Sequence, residues 1–183
     1  MNKKISIIFS LLVLLGVTSY AQRPLPKNIN MASDRSTAGT YSFESKNYPG
    51  HFISHKEFLG LISVPGNEAQ KKSSTFKIVA GLAGDGFVSF ESVDYPNHYF
   101  RHQNYSIKLH KNDGSDLFKQ DASFKKVPGL AGGNYVSFES CNYPEHFIRH
   151  KNWMLQIDKR DETDLFKNDS SFIQKDPLAD DGD

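Results

Sequence analysis

Short runs of alternating apolar and polar residues recur along the chain: Tyr41–Glu44, Phe87–Glu91 and Tyr135–Glu139, then Ser106–Leu109 and Met154–Ile157. Alternate residues of a strand share a face, so each run predicts a short, half-buried β-strand. Turn-forming clusters separate the runs, including three Tyr-Pro steps, Asn112-Asp113-Gly114 and Gly81-Leu82-Ala83-Gly84, as expected between strands. No window sustains a 3.6-residue period of useful length. Leu117-Phe118-Lys119 and Leu165-Phe166-Lys167 fit the start of a single helical turn.

The runs repeat. Ser-Phe-Glu-Ser opens at Ser42, Ser89 and Ser137, 47 and 48 residues apart. Each copy continues to Tyr-Pro, one further residue, a His, and a second His four positions later. Phe76, Phe124 and Phe172 mark the downstream end of each copy, 48 residues apart. A regular period of this length signals stacked or symmetric supersecondary units. Four short strands fit each repeat, giving twelve in all. Three copies are too few for a propeller, whose blades number about four or more. The pattern therefore predicts an all-β fold: a β-trefoil with three repeats of about 48 residues and pseudo-threefold symmetry. Its closed barrel removes sheet edges. Phe43, Phe90 and Phe138 are expected to meet on its axis, as are Phe76, Phe124 and Phe172.

Flanking segments read differently. Residues 1–21 resemble a secretory signal peptide, with Lys3 and Lys4 before the apolar run Ile5–Val17 and small residues around Ala21. That run is shorter than the roughly 20 residues a membrane span needs. The expected product is a secreted protein, periplasmic or extracellular, free of the membrane after cleavage. Residues 22–39 read as a leader, 40–174 as the β-domain and 175–183 as an acidic tail.

Cleavage would leave 20 basic residues against 21 acidic ones. Their interspersed charges form no basic patch, so no nucleic-acid partner is expected. Cys141 is the one cysteine and cannot form an intramolecular disulfide. It falls outside the repeated positions and reads as a semi-buried thiol. A monomer without cofactor or metal is expected.

The repeated polar residues carry the candidate chemistry. The His pairs are His51 and His55, His98 and His102, and His146 and His150. Downstream, the second and third copies share an acidic block, with Asp113, Asp116 and Asp121 matched by Asp161, Asp164 and Asp169. Asp113, Asp116, Asp161 and Asp164 suit turns or helix caps. The first copy has Glu68 and Ser73 where the second has Asp116 and Asp121. A scaffold needs three similar repeats, whereas a binding site does not, so the asymmetry points to a role for Asp121 and Asp169 beyond scaffolding. A carboxylate accepts hydrogen bonds from vicinal hydroxyls, a neutral His both donates and accepts, and an aromatic ring covers a sugar face. His102 with Asp121 and His150 with Asp169 are the main candidates. Tyr105 and Trp153 are candidate walls, or ordinary hairpin packing, and Asn104 and Asn152 could add amides. His98, His146, Asp116, Asp164 and His55 are weaker candidates.

These motifs resemble the arabinofuranose-binding domain of fungal and bacterial α-L-arabinofuranosidases, a β-trefoil carbohydrate-binding module. That family's repeats read S-x-x-S-x-N-Y-P-x-x-Y-x-R-H-x-N, then N-D-G-x-x-L-F-x-x-D-A-T-F. Ser89–Phe124 and Ser137–Phe172 match nearly throughout, with Gly81-Leu82-Ala83 and Gly129-Leu130-Ala131 in the linker position. The resemblance implies pockets for arabinofuranose side chains of arabinoxylan or arabinan, built from His102 with Asp121 and His150 with Asp169. With Ser73, the first pocket is expected to be weakened or lost. The catalytic domain that usually accompanies this module has no counterpart in the sequence. The expected protein is non-catalytic; an adhesin- or inhibitor-like interaction protein and a glycosidase are the alternatives.

Overall fold

The computed structural model describes residues 38–180. The segment expected to be a signal, most of the expected leader and the last three residues of the expected tail lie outside them.

Three lobes follow one another, each built as strand, hairpin, short helix, strand. The first holds β1 (Gly39–Ser45), β2 (Phe52–Lys56), β3 (Leu59–Ser63), α1 (Glu68–Ser73) and β4 (Phe76–Ala80). The second holds β5 (Val88–Ser92), β6 (His98–Gln103), β7 (Ser106–Lys111), α2 (Asp116–Asp121) and β8 (Phe124–Pro128). The third holds β9 (Val136–Ser140), β10 (His146–Lys151), β11 (Met154–Lys159), α3 (Asp164–Asp169) and β12 (Phe172–Lys175).

Antiparallel pairing runs β1–β4, β4–β5, β5–β8, β8–β9, β9–β12 and back from β12 to β1, closing a barrel. The hairpins β2–β3, β6–β7 and β10–β11 pair with one another through Leu59↔Lys108, Ser106↔Gln156 and Met154↔Leu61.

The Ser-Phe-Glu-Ser motif explains itself residue by residue. Its Phe points inward: Phe43, Phe90 and Phe138 meet with ring centroids 4.8–5.4 Å apart. Tilted and edge-on contacts of this kind add to the apolar burial. Phe76, Phe124 and Phe172 are fully buried in the same core. Phe76 and Phe124 pack onto Phe90, at 6.0 and 6.1 Å. The first Ser is a buried two-way connector. Ser89 Oγ donates to the Ala122 carbonyl (2.7 Å) just past α2 and accepts from Leu82 N–H (3.1 Å). Ser137 does the same for Ser170 and Leu130, and Ser42 for Ser74 and Leu178. The Glu closes the Tyr-Pro turn, with Glu44, Glu91 and Glu139 accepting from the backbone N–H of Gly50, Asn97 and Glu145.

Part of the segment read as an acidic tail, 175–183, meets the barrel. Leu178 N–H donates to Ser42 and Ala179 N–H to Thr75 Oγ1 (3.3 Å), and Ala179 is buried. The chain is docked through Ala179, because Ser42 needs the donor that the inter-lobe linkers give Ser89 and Ser137.

The helical turns are longer than the sequence suggests and there are three. Asn67, Ser115 and Thr163 cap them by accepting from Gln70, Phe118 and Phe166 N–H. This satisfies amides that a helix start leaves orphaned. α2 and α3 each bury a Phe and their final Asp, whereas α1 buries nothing.

Candidate functional site

The His–Asp pairs form, but each pocket is completed by the next lobe. His102 on β6 and Asp121 at the end of α2 both reach Asn142, in the turn after β9. Asn142 Nδ2 donates to Asp121 Oδ1 (2.8 Å). Its Oδ1 therefore faces His102 and accepts from Nε2–H (2.8 Å) and from Ser140 Oγ–H (3.1 Å). His102 Nε2 also lies 3.4 Å from Asp121 Oδ1. The same cluster joins the third lobe to the first. His150 Nε2 meets Asn47 Oδ1 at 2.9 Å and Ser45 Oγ at 3.1 Å, and Asn47 Nδ2 donates to Asp169 Oδ1 at 2.7 Å.

Beneath each cluster lies an ion pair. Arg101 and Arg149 bond the Oδ2 atoms of Asp121 and Asp169. Each guanidinium also sits over a helix Phe, Arg101 over Phe118 at 5.5 Å and Arg149 over Phe166 at 5.1 Å. Asp121 and Asp169 are each only 4% exposed, so an isolated charge there would be costly, and the arginines and amides compensate it. A carboxylate offers about four acceptor sites, so these bonds leave capacity for a ligand hydroxyl. Burial holds the His150 imidazole below the usual histidine range; Asp169 opposes this, while Arg149 and His51 push it further down.

Above each cluster lies an aromatic lip. Tyr143 contacts both His102 (5.0 Å) and Tyr105 (5.7 Å), and Tyr105 stacks on His146 (6.1 Å). At the other junction Tyr48 contacts His150 (5.3 Å) and Trp153 (4.9 Å), and Trp153 stacks on His51 (5.1 Å). Tyr143, Tyr48, Tyr105 and Trp153 remain 40–52% exposed. Tyr105 and Trp153 sit in left-handed backbone, at φ 65° and 70°, a conformation that costs a bulky residue roughly 1–2 kcal/mol. The hairpin cap holds them there: Ile157 N–H donates to the Tyr105 carbonyl and Ile62 N–H to that of Trp153, both at 2.8 Å.

The first lobe builds a variant pocket against the second. His55 Nε2 meets Asp94 Oδ1 at 2.9 Å, with Asp94 occupying the place of Asn142 and Asn47. Tyr95 bridges His55 (5.6 Å) and Phe58 (5.2 Å), and Phe58 stacks on His98 (6.2 Å). Burial raises the Asp94 carboxyl, but hydrogen bonds from His55 and Ser92 outweigh it and hold the pKa below the ordinary value.

Of the expected residues, His102, Asp121, His150 and Asp169 converge, with Tyr105 and Trp153 at the rims. His98 and His146 join rims, each anchored by Nδ1–H donating to a proline carbonyl at 3.0 Å. Asn104 and Asn152 are displaced from this role: both are exposed in two-residue hairpin turns, at φ 51° and 50°. Asp116 and Asp164 are exposed in the first helical turn, Asp116 paired with Lys119 at 3.2 Å. Asp113 and Asp161 cap the preceding turns through Ser115 and Thr163 N–H. Sequence reasoning missed Asn47, Asn142 and Asp94, the second Ser of each motif, the Tyr of each Tyr-Pro step, and both arginines. For all but the arginines the signal was the repeated S-x-N/D-Y-P block, which read as scaffold because it looked local to its own repeat; Arg101 and Arg149 each directly precede the second His of their copy.

A separate hollow of about 460 Å³ opens between the hairpins, lined by Leu59, Lys108, Lys151, Asn152, Met154 and Gln156 among others. It shares no His or Asp with the pockets and has no comparable polar cluster, so we place the chemistry at the lobe junctions. Cys141 is half-buried, and burial pushes its thiol pKa up. Among the described residues no helix is long and apolar enough to cross a membrane, and no three His, Cys, Asp or Glu side chains group as metal ligands would.

Comparison with known proteins bears on this arrangement. No curated protein sequence matches the chain. Among solved structures, a GH54 α-L-arabinofuranosidase soaked with a cyclic sulfate inhibitor is 28% identical with a TM-score of 0.72, over 78% of this chain. An arabinofuranosidase complexed with arabinofuranosyl-α-1,2-xylobiose matches equally well, over 79%. This chain spans 32% of the length of either. A BEL β-trefoil, 10% identical with a TM-score of 0.57 over 74% of this chain and 91% of its own, supports the fold alone. The family model for the α-L-arabinofuranosidase B (ABFB) domain matches residues 59–174. The chain therefore belongs to the α-L-arabinofuranosidase B domain family.

Proposed function

We propose that this is a secreted, non-catalytic carbohydrate-binding protein that recognises arabinofuranose side chains of polymers such as arabinoxylan and arabinan. Its scaffold is a β-trefoil of three equivalent repeats, acting as a monomer. The observation that carries the reading is the His–Asn–Asp cluster, built twice across lobe junctions, each beneath a rim of exposed aromatics. A small polyhydroxylated ring needs this combination of acceptors, donors and an apolar face. The complex of a related arabinofuranosidase with an arabinofuranosyl xylobiose supports the choice of sugar.

The non-catalytic reading rests on the composition of the pockets. Glycoside hydrolysis ordinarily uses two carboxylates flanking one bond. Here Asp121 is paired with Arg101, and at the other junction Asp169 and Asp158 both face the same Arg149 guanidinium, so each carboxylate is already engaged by an arginine. Secretion rests on the signal-like residues 1–21. The test is affinity electrophoresis or calorimetry against arabinoxylan and debranched xylan, with free arabinose assayed in parallel. Binding to the branched polymer without arabinose release supports the proposal. Equal binding to both polymers, or steady arabinose release, refutes it.

A further inference from the structure

The hollow between the three hairpins takes no part in the junction pockets, and its volume of about 460 Å³ lies in the range of small-ligand sites. Its walls follow from the strand register. Leu59 on β3 pairs with Lys108, Ser106 on β7 with Gln156, and Met154 on β11 with Lys151. Residues paired across two strands share a face, so these side chains stand together on one side of the hairpin ring. The alternate residues Ile107, Leu109, Leu155 and Ile157 turn the other way, into the core.

The hollow is amphipathic. On one side Leu59 and Met154 are 40% and 39% exposed. On the other stand two cations, Lys108 and Lys151. Lys108 Nζ donates to Gln103 Oε1 at 3.0 Å, which positions the ammonium and leaves donors for a ligand. Among the described residues no carboxylate pairs with Lys108 or Lys151. Asp158, further along β11, is engaged instead by Gln156 Nε2–H at 2.6 Å and by Arg149 at 3.6 Å. The lysines thus line a partly apolar concavity without an acidic partner.

We propose that this hollow binds a small amphipathic monocarboxylate, with its head at Lys108 and its chain across Leu59 and Met154. The carboxylate accepts charge-assisted hydrogen bonds from the ammonium. The chain removes the two exposed apolar side chains from water, and the unbranched Met154 adapts to its shape. A neutral hydroxylated ring would leave the apolar wall and the charge unmatched, and a bare inorganic anion would leave the wall uncovered. The site is separate from the lobe junctions and stands whether or not they bind sugar.

The test follows the methyl resonance of Met154, the one methionine among the described residues, by NMR during titration with octanoate. Acetate supplies the head without the chain, and octanol the chain without the charge. The expected result is a saturable shift with octanoate, and binding at least about tenfold weaker for both acetate and octanol. Lys108→Gln places there the residue that the third lobe carries at the matching position, Gln156, so the fold is retained. It is expected to weaken octanoate about tenfold and leave octanol unchanged. No saturable shift with octanoate, equal binding of octanoate and octanol, or an octanoate response unaltered by Lys108→Gln overturns the proposal. None of these outcomes bears on the junction pockets.

Discussion

His102 Nε2 and Asn142 Oδ1 lie 2.8 Å apart although the residues belong to different lobes. Each pocket is therefore a product of the closed barrel, not of a single repeat. Removing the Asn orphans a His donor and a carboxylate contact together. Asn142→Ala is expected to weaken arabinoside binding at that junction about tenfold, the equivalent of about 1.4 kcal/mol. Site-resolved NMR titration checks this: the His102 response should weaken and the His150 response should not.

The Arg101–Asp121 pair predicts a stability effect with an internal control. Arg101→Met leaves Asp121 buried without its countercharge, at an expected cost of about 3–5 kcal/mol. Replacing both, as Arg101→Ser with Asp121→Ser, copies the first lobe's Ser54–Ser73 arrangement and should recover much of that loss. Urea denaturation of the single and double variants measures it. A double variant no more stable than Arg101→Met would show that the pair is not the source of the cost.

Much of this fold was legible because the repeat period and the inward Phe of each Ser-Phe-Glu-Ser copy leave few architectures open. The pairing of His102 with Asp121 and His150 with Asp169 was also legible, since each His lies on a strand next to its own lobe's helix. Asn47, Asn142 and Asp94 were not, because contact across a lobe junction leaves no local spacing to read. Nor was the docking of Leu178, because its bond to Ser42 joins residues far apart in the chain. The contact of His55 with Asp94 escaped for the same reason, since Asp94 lies in the next repeat.

The rim makes a backbone prediction. Trp153 at φ 70° is held in a conformation that glycine adopts freely and alanine does not. Trp153→Ala and Trp153→Gly should lose affinity at this junction alike, by about 3- to 10-fold for an aromatic contact of 0.5–1.5 kcal/mol. The Gly variant should be the more stable of the two by about 1 kcal/mol. Thermal unfolding separates them, and equal stability would show that the strain is not felt.

The His150 environment sets a pH dependence. Burial, only partly opposed by Asp169, places its folded-state pKa below the reference value of 6.5. Between those two values the unfolded chain binds more protons, so stability rises with pH through that window. The contribution is fully present above 6.5 and is lost as pH falls through the folded-state value. His110, lowered first by burial and then by nearby positive charge, adds the same sign. Melting curves should show a falling midpoint as pH drops from about 7 to 5. His150→Gln should flatten that slope, and an unchanged slope would contradict the assignment.

The central claim, that a lobe junction is an arabinofuranose pocket, can be read from the protein's own light emission. Trp153 is the one tryptophan in the chain, and it lies 4.9 Å from Tyr48 on the rim above His150 and Asn47. A fluorescence titration with arabinofuranosyl xylo-oligosaccharide, set beside the same oligosaccharide without its arabinose, tests that contact directly. The account predicts a saturable change in Trp153 emission with the branched sugar, none with the bare xylose chain, and at least a tenfold weaker response in Asn47→Ala. Identical behaviour toward the two sugars, or a response that Asn47→Ala leaves intact, would contradict it.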